Sequence, residues 1–296
     1  MKRPPLACLV SLCLAACGLP GPSAPQTITL DGAPNGVAVR QADGTIYVTD
    51  DTSNAILASS DGVRFSTRAT IPDTAGERHS LSQIATGAGG ELFVERFGFG
   101  KSSAIFRVDA AGRVTLASNT HPERRRLGLV VLSGTQLLSS WFQKQGDEPA
   151  QGGVSLVSLD PSKNIATERD LVVGLGKPVG IAVAGDTLYI TDQTNDRIVR
   201  TALRAALAAP SLVTADVFAQ VTAPDLLAAS PDGTLYTKCG QHALCRFSAT
   251  GHSTVVADDF DEPRGVAVDA AKKRIIAVDR ARGSARPSRL RVLPMD

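Results

Sequence analysis

Residues 177–203 read KPVGIAVAGDTLYITDQTNDRIVRTAL. The stretch is a Pro-x-Gly lead-in, a short apolar run, a Gly-Asp turn and a second run, LYITD; a polar turn and a third run, IVRTAL, follow. The same succession appears at 33–59 (APNGVAVRQADGTIYVTDDTSNAILAS), at 223–248 (APDLLAASPDGTLYTKCGQHALCRFS) and at 262–279 (EPRGVAVDAAKKRIIAVD). Two looser copies lie between them, LSQIATGAGGELFVERFGFGKSSAIFRVD at 81–109 and a copy at 126–160 with an enlarged loop. With Pro34 as phase marker, equivalent positions fall at 34, 81, 126, 178, 224 and 263. The period is therefore close to 45 residues, the length of one supersecondary unit that stacks on its neighbours.

Each copy contains apolar runs of strand length separated by Gly- and Asp-rich turns. Three strands are plain in the best copies, and a less regular fourth closes the unit, as in STVVA at 253–257. Four antiparallel strands at this period make one blade of a β-propeller. The fold class is all-β: six four-stranded blades over residues 26–296. The last copy has room for three strands only, and QTITL at 26–30 precedes the first blade. These termini predict a ring closed by the N-terminal strand joining the last blade, which removes the open edges of a linear array.

PNGVAV…GTIYVTD, KPVGIAV…DTLYITD and EPRGVAVD resemble NHL repeats and the related six-bladed group that includes the SMP-30/gluconolactonase family. The likeness covers nearly all of 26–296. It implies architecture strongly and function weakly, because that group includes lactone hydrolases, lyases and binding scaffolds.

The N-terminus has its own logic. Lys2 and Arg3 precede the apolar stretch Leu6–Ala16, which is too short to span a bilayer and has the proportions of a secretory signal. Leu14-Ala15-Ala16-Cys17 resembles the lipobox of bacterial lipoproteins, which implies a signal over 1–16 and lipidation of Cys17. Gly18 after the cysteine implies export to an outer membrane. Residues 17–25 then read as the lipidated Cys and a Pro/Gly-rich tether. The expected location is the cell envelope, anchored through lipid and facing periplasm or surface. With Cys8 and Cys13 in the signal and Cys17 lipidated, Cys239 and Cys245 remain as an even pair in an oxidising compartment, and a disulfide is expected. The competing use of Cys239-x-x-His242-x-x-Cys245 as a metal site offers three ligands where structural zinc takes four.

Lysine and arginine total 31 against 29 acidic residues, so charge gives no argument for nucleic acid. In an a-b-c-d meander the d-to-a and b-to-c loops share one end, and that end collects the long, chemically varied loops. His79, His121, His242 and Trp141 fall on it, with the basic runs Arg124–Arg126 and Arg280, Arg282, Arg286, Arg289 and Arg291. The second position of each lead-in (Asn35, Ser82, Leu127, Val179, Asp225, Arg264) is expected to turn toward the axis. In the SMP-30 group such a mouth holds a divalent cation on Glu, Asn and Asp. Here the resemblance implies calcium at most, with Asn35, Ser82, Asp225 and Arg264 as the candidate set. An Asp225–Arg264 ion pair with Asn35 hydrogen-bonded nearby is the structural alternative. Asp50, Asp192 and Asp279 recur at equivalent places after the second strand and read as turn acceptors that stabilise blades.

No GxSxG, HExxH or glycine-rich phosphate loop occurs. The sequence thus leaves open whether the chain is an enzyme. The first reading is a lipid-anchored, monomeric, non-enzymatic propeller binding a protein or envelope polymer on its loop-rich face. The alternative is a metal-dependent hydrolase or lyase of the SMP-30/gluconolactonase type with its site at the channel mouth.

Overall fold

The computed structural model describes residues 25–74, 76–99, 102–283 and 286–295. The signal, lipidation and tether expectations for residues 1–24 lie outside the described residues. Among those described, no helix is long and apolar enough to cross a membrane.

Strand β1 (Gln26–Leu30) comes first. Blade one follows as β2 (Pro34–Arg40), β3 (Thr45–Asp50), β4 (Ala55–Ser59) and β5 (Ser66–Thr70). Blade two is β6 (His79–Thr86), β7 (Leu92–Gly98), β8 (Ala104–Val108) and β9 (Val114–Leu116). Blade three is β10 (Arg125–Ser133), β11 (Gln136–Gln143), β12 (Gln151–Asp160) and β13 (Ile165–Leu175). Blade four is β14 (Pro178–Ala184), β15 (Thr187–Asp192), β16 (Arg197–Ala202) and β17 (Asp216–Gln220). Blade five is β18 (Leu227–Ala229), β19 (Leu235–Lys238), β20 (Leu244–Phe247) and β21 (Ser253–Ala257). Blade six is β22 (Pro263–Asp269), β23 (Arg274–Asp279) and β24 (Ser288–Pro294), completed by β1 in the order β1-β24-β23-β22. The six-bladed ring and its closure are thus as the repeat predicts. One element the pattern did not announce is the short helix α1 (Leu203–Ala208), which sits between the third and fourth strands of blade four.

The innermost strands β2, β6, β10, β14, β18 and β22 touch in succession, and β22 returns to β2. The core is distributed accordingly, with one apolar cluster at each junction between adjacent blades. Tyr47 and Ile56 of blade one pack with Leu81 and Phe106 of blade two, and Leu30 and Val278 of blade six pack with Val37 and Val48 of blade one. Burying both faces of every blade this way explains why the strands read as near-continuous apolar runs.

The Pro-x-Gly lead-in has a steric cause. A Cβ on Gly36 would collide with the carbonyl oxygen of Ser82, and one on Gly180 with the backbone nitrogen of Leu227. The glycine lets the next blade's inner strand pass against it.

Candidate functional site

The mouth is built from a hydroxyl that bridges neighbouring blades. Thr49 Oγ1 accepts from the Gly36 N–H (2.7 Å) and donates to Ser82 O of the next blade (3.0 Å). Ser140 does the same between Gly128 and Val179, and Thr191 between Gly180 and Asp225 O. Strand register places three other residues at this position. Val94 pairs with Ile84, Thr237 with Leu227 and Ala277 with Val266, so Glu95, Lys238 and Val278 stand where the hydroxyl should be. The ring therefore departs from its own pattern at blades two, five and six.

The axis-facing set is engaged around the ring. Asn35 Nδ2 donates to Leu81 O (2.7 Å) and Ser82 Oγ to Leu127 O (2.7 Å), each crossing to the next inner strand. Asp225 is buried; its Oδ1 accepts from the Leu226 N–H (2.9 Å) and its Oδ2 from Arg264 Nη1 (3.2 Å). Arg264 also pairs with Glu262 (2.9 Å), which takes Arg282 as well (3.0 Å). Burial works against ionisation of Glu262, but the charges of Arg264 and Arg282 outweigh it and hold its carboxyl below the ordinary value. The Asp225–Arg264 pair forms as the alternative expectation had it, while Asn35 is spent on backbone one blade away from the pair's own ring segment.

Two lysines complete this side. Burial pulls Lys177 below the ordinary lysine value, opposed by the Asp225 charge and assisted by Arg264 and Lys238. Lys238 is lowered in the same way, by burial first, with Asp225 opposing and Arg264 assisting. Sequence reasoning missed both. The signal for Lys238 was present: aligning TLYITD with TLYTKC puts a lysine where the template has Thr191.

Blades two and three supply an apolar wall. Phe97 stacks on Phe142 (centroids 6.2 Å) and meets the edge of Phe99 (5.3 Å), and Arg125 lies over Phe99 at 4.6 Å. Lys177 Nζ stands 5.7 Å from the Phe142 centroid and donates to Gln193 Oε1, so it joins the aromatic wall to the cationic one.

The basic runs are not open surfaces. Arg126 is fully buried, bound to Ser139 Oγ and to Glu168 Oε1 (2.5 Å). Arg124 is also buried, reaches Glu168, Asp170 and Ser155, and lies 3.7 Å over the ring of Trp141. Arg124, Arg126 and Trp141 therefore form an internal network of blade three, a correction to their placement on a binding face. The cause is that their carboxylate partners lie on β13, more than forty residues away. The last blade's arginines are likewise committed: Arg280 to Asp51, Arg282 to Glu262, Arg289 to Asp279 and Arg291 to Asp259; Arg286 is exposed. His79 is half-buried against Asp73 (2.5 Å), His121 is exposed, and His242 Nδ1 lies 2.9 Å from Phe260 O. Cys239 and Cys245 form the expected disulfide.

The donor set does not fit a divalent cation. Hard cations take several oxygens, whereas this mouth gathers Lys177, Lys238 and Arg264 around Asp225, whose two oxygens are already bonded. Among the described residues no group of three or more His, Cys, Asp or Glu is placed to hold a metal ion.

No family model matches the chain, and no curated protein matches it in sequence. Solved structures do. The chain is similar to a calcium-binding protein, regucalcin, from Agrobacterium tumefaciens at 15% identity, covering 90% of this chain and 94% of that one (TM-score 0.66). It is similar to a gluconolactonase from Xanthomonas campestris at 17% identity, covering 92% and 90% (TM-score 0.68). It also resembles a chain of a nidogen/laminin complex at 17% identity, covering 75% and 78% (TM-score 0.57). At these identities the likeness establishes the six-bladed fold.

Proposed function

We propose that the chain is a hydrolase of the SMP-30/gluconolactonase type, opening lactones or related esters at the mouth of blades four to six. What carries this reading is the gathering of ionisable side chains on the ring axis, Asp225, Arg264, Lys177 and Lys238, in a fold shared with a gluconolactonase. Since the donors do not suit a metal ion, no step is routed through one. Asp225, held by Arg264, takes the proton of a water that adds to the carbonyl carbon. Arg264 and Lys238 stabilise the oxyanion that develops, and the proton passes to the departing alkoxide, leaving an alcohol and a carboxylic acid that then releases its remaining proton to solvent. The test is hydrolysis of a panel of aliphatic and aromatic lactones. Asp225→Asn should lower kcat by about 100-fold or more. Absence of turnover by the unaltered protein on every lactone overturns the hydrolase.

A second reading, a binding propeller without turnover, is favoured by one observation: each Asp225 oxygen already accepts a hydrogen bond, one from backbone and one from Arg264, as in a structural ion pair. Its ligand is a protein or envelope polymer on the loop-rich face. Under either reading we propose attachment to the cell envelope through a lipid on Cys17, which rests on the lipobox alone. Cys17→Ala should release the protein from membranes; unchanged fractionation overturns the anchor.

A further inference from the structure

We propose that the mouth is a receptor for a small organic carboxylate with a ring or apolar body, the carboxylate on Lys238 and Arg264 and the body against Phe97, Phe99 and Phe142. The proposal takes the mouth as the site, as the hydrolase reading does, but does not require turnover.

Lys238 is the reason. It is 7% exposed, yet among the described residues its ammonium has no hydrogen bond or ion pair, and it is not sealed from solvent. A buried ammonium without a partner is costly. The charges of Asp225 and Glu262 offset only part of that cost, because Asp225 is held by Arg264, and Glu262 by Arg264 and Arg282. At the equivalent position three other blades place a hydroxyl that closes the ring with two hydrogen bonds, so the lysine also forfeits a structural contact. An incoming anion supplies the missing partner. Arg264 retains part of its surface, 30% of its side chain, and can share that anion in a charge-assisted pair.

The rest of the ligand is specified by the opposite wall. Phe99 is 45% exposed and backed by Phe97, which stacks on Phe142. Lys177 approaches Phe142 at 5.7 Å and also feels the charges of Asp225, Arg264 and Lys238, so it stands between the aromatic group and the cationic one. Cationic and aromatic groups on either side of one lysine favour an amphipathic anion over a bare inorganic one.

Calorimetric titration of the purified full chain with phenylacetate, phenylacetamide and inorganic phosphate tests this. Phenylacetate should bind at least about tenfold more tightly than its neutral amide and than phosphate. Lys238→Met should remove that preference while the melting temperature holds or rises. Phe99→Ala, at an exposed position, should weaken phenylacetate and leave phosphate unchanged. Equal binding of acid and amide, undiminished affinity in Lys238→Met, or no saturable binding of phenylacetate overturns the proposal. Binding without lactone turnover overturns the hydrolase only, and turnover with no discrimination between acid and amide overturns the receptor only.

Discussion

Glu95 occupies in blade two the place that Thr49, Ser140 and Thr191 fill in their own blades, and its surroundings make it a different kind of residue. It is fully buried; Oε1 accepts from Ser139 Oγ (2.5 Å), and among the described residues Oε2 has no hydrogen-bond partner. Burial raises its pKa from 4.5 to about 8, against the opposing pull of Ser139 and the Arg126 charge. Between those two values the folded chain holds a proton that the unfolded chain has released. Stability therefore falls as pH rises from about 4.5 to about 8 and levels off above. At about 1.4 kcal/mol per unit, the full contribution is on the order of 5 kcal/mol. Glu95→Gln keeps an acceptor for Ser139 and cannot ionise. Denaturant titrations at a series of pH values should show the variant's stability changing less steeply across that window than the parent's. Parallel curves would place the proton elsewhere.

At the scale of the element, each blade must fasten its d-to-a loop to the end of its second strand, and the ring uses several chemistries for the task. Asp50, Asp192 and Asp279 are buried acceptors of that loop's backbone N–H groups, from Ala33, from Gly176 and Lys177, and from Asp261 and Glu262 respectively. Blade two uses Arg96, which donates to Pro72 O and Thr74 Oγ1. In blade five the position is Cys239, tied to Cys245, and the adjoining Gly240 N–H donates to Thr222 O. Removing the cross-link by Cys239→Ser with Cys245→Ser should cost about 2 kcal/mol, as expected for a short closed loop. Because the hairpin begins directly after Lys238, the double variant should also weaken phenylacetate binding, measured by the same calorimetry. The blades and the three aspartates were legible in the sequence because one side chain at a fixed offset does each job. The roles of Arg124 and Arg126 were not, because both turn into contacts fixed by Glu168 and Asp170 on another strand. Lys177 was hidden for a related reason: it precedes the lead-in of the plainest copy, and only its approach to Phe142 marks it.

For the whole molecule the decisive feature is closure. The inner ring is held by an apolar junction at every boundary and by hydroxyl bridges from blades one, three and four, but blade six is held as a four-stranded sheet only while β1 pairs along β24, from Gln26 with Val292 to Leu30 with Ser288. Leu30 is buried in the cluster shared by blades six and one, and Ile28 packs against it. Leu30→Ala should cost about 3 kcal/mol, as a cavity at a closely packed junction does. Deleting residues 26–30 should cost more than that substitution, because it also strips β24 of its hydrogen-bonding partner and exposes an edge. Equilibrium denaturation with light scattering separates the two effects: the point variant should unfold cooperatively and keep the parent's oligomeric state, whereas the deletion should broaden the transition and self-associate. The mouth gives an internal check on where the damage spreads. Arg264 and Glu262 sit on or beside β22, the strand of blade six farthest from β1. If the blade behaves as one unit, opening its outer edge should loosen the Asp225–Arg264 pair and lower carboxylate affinity together with stability. If affinity survives the deletion, the inner ring carries the site without the closing strand, and closure serves solubility alone.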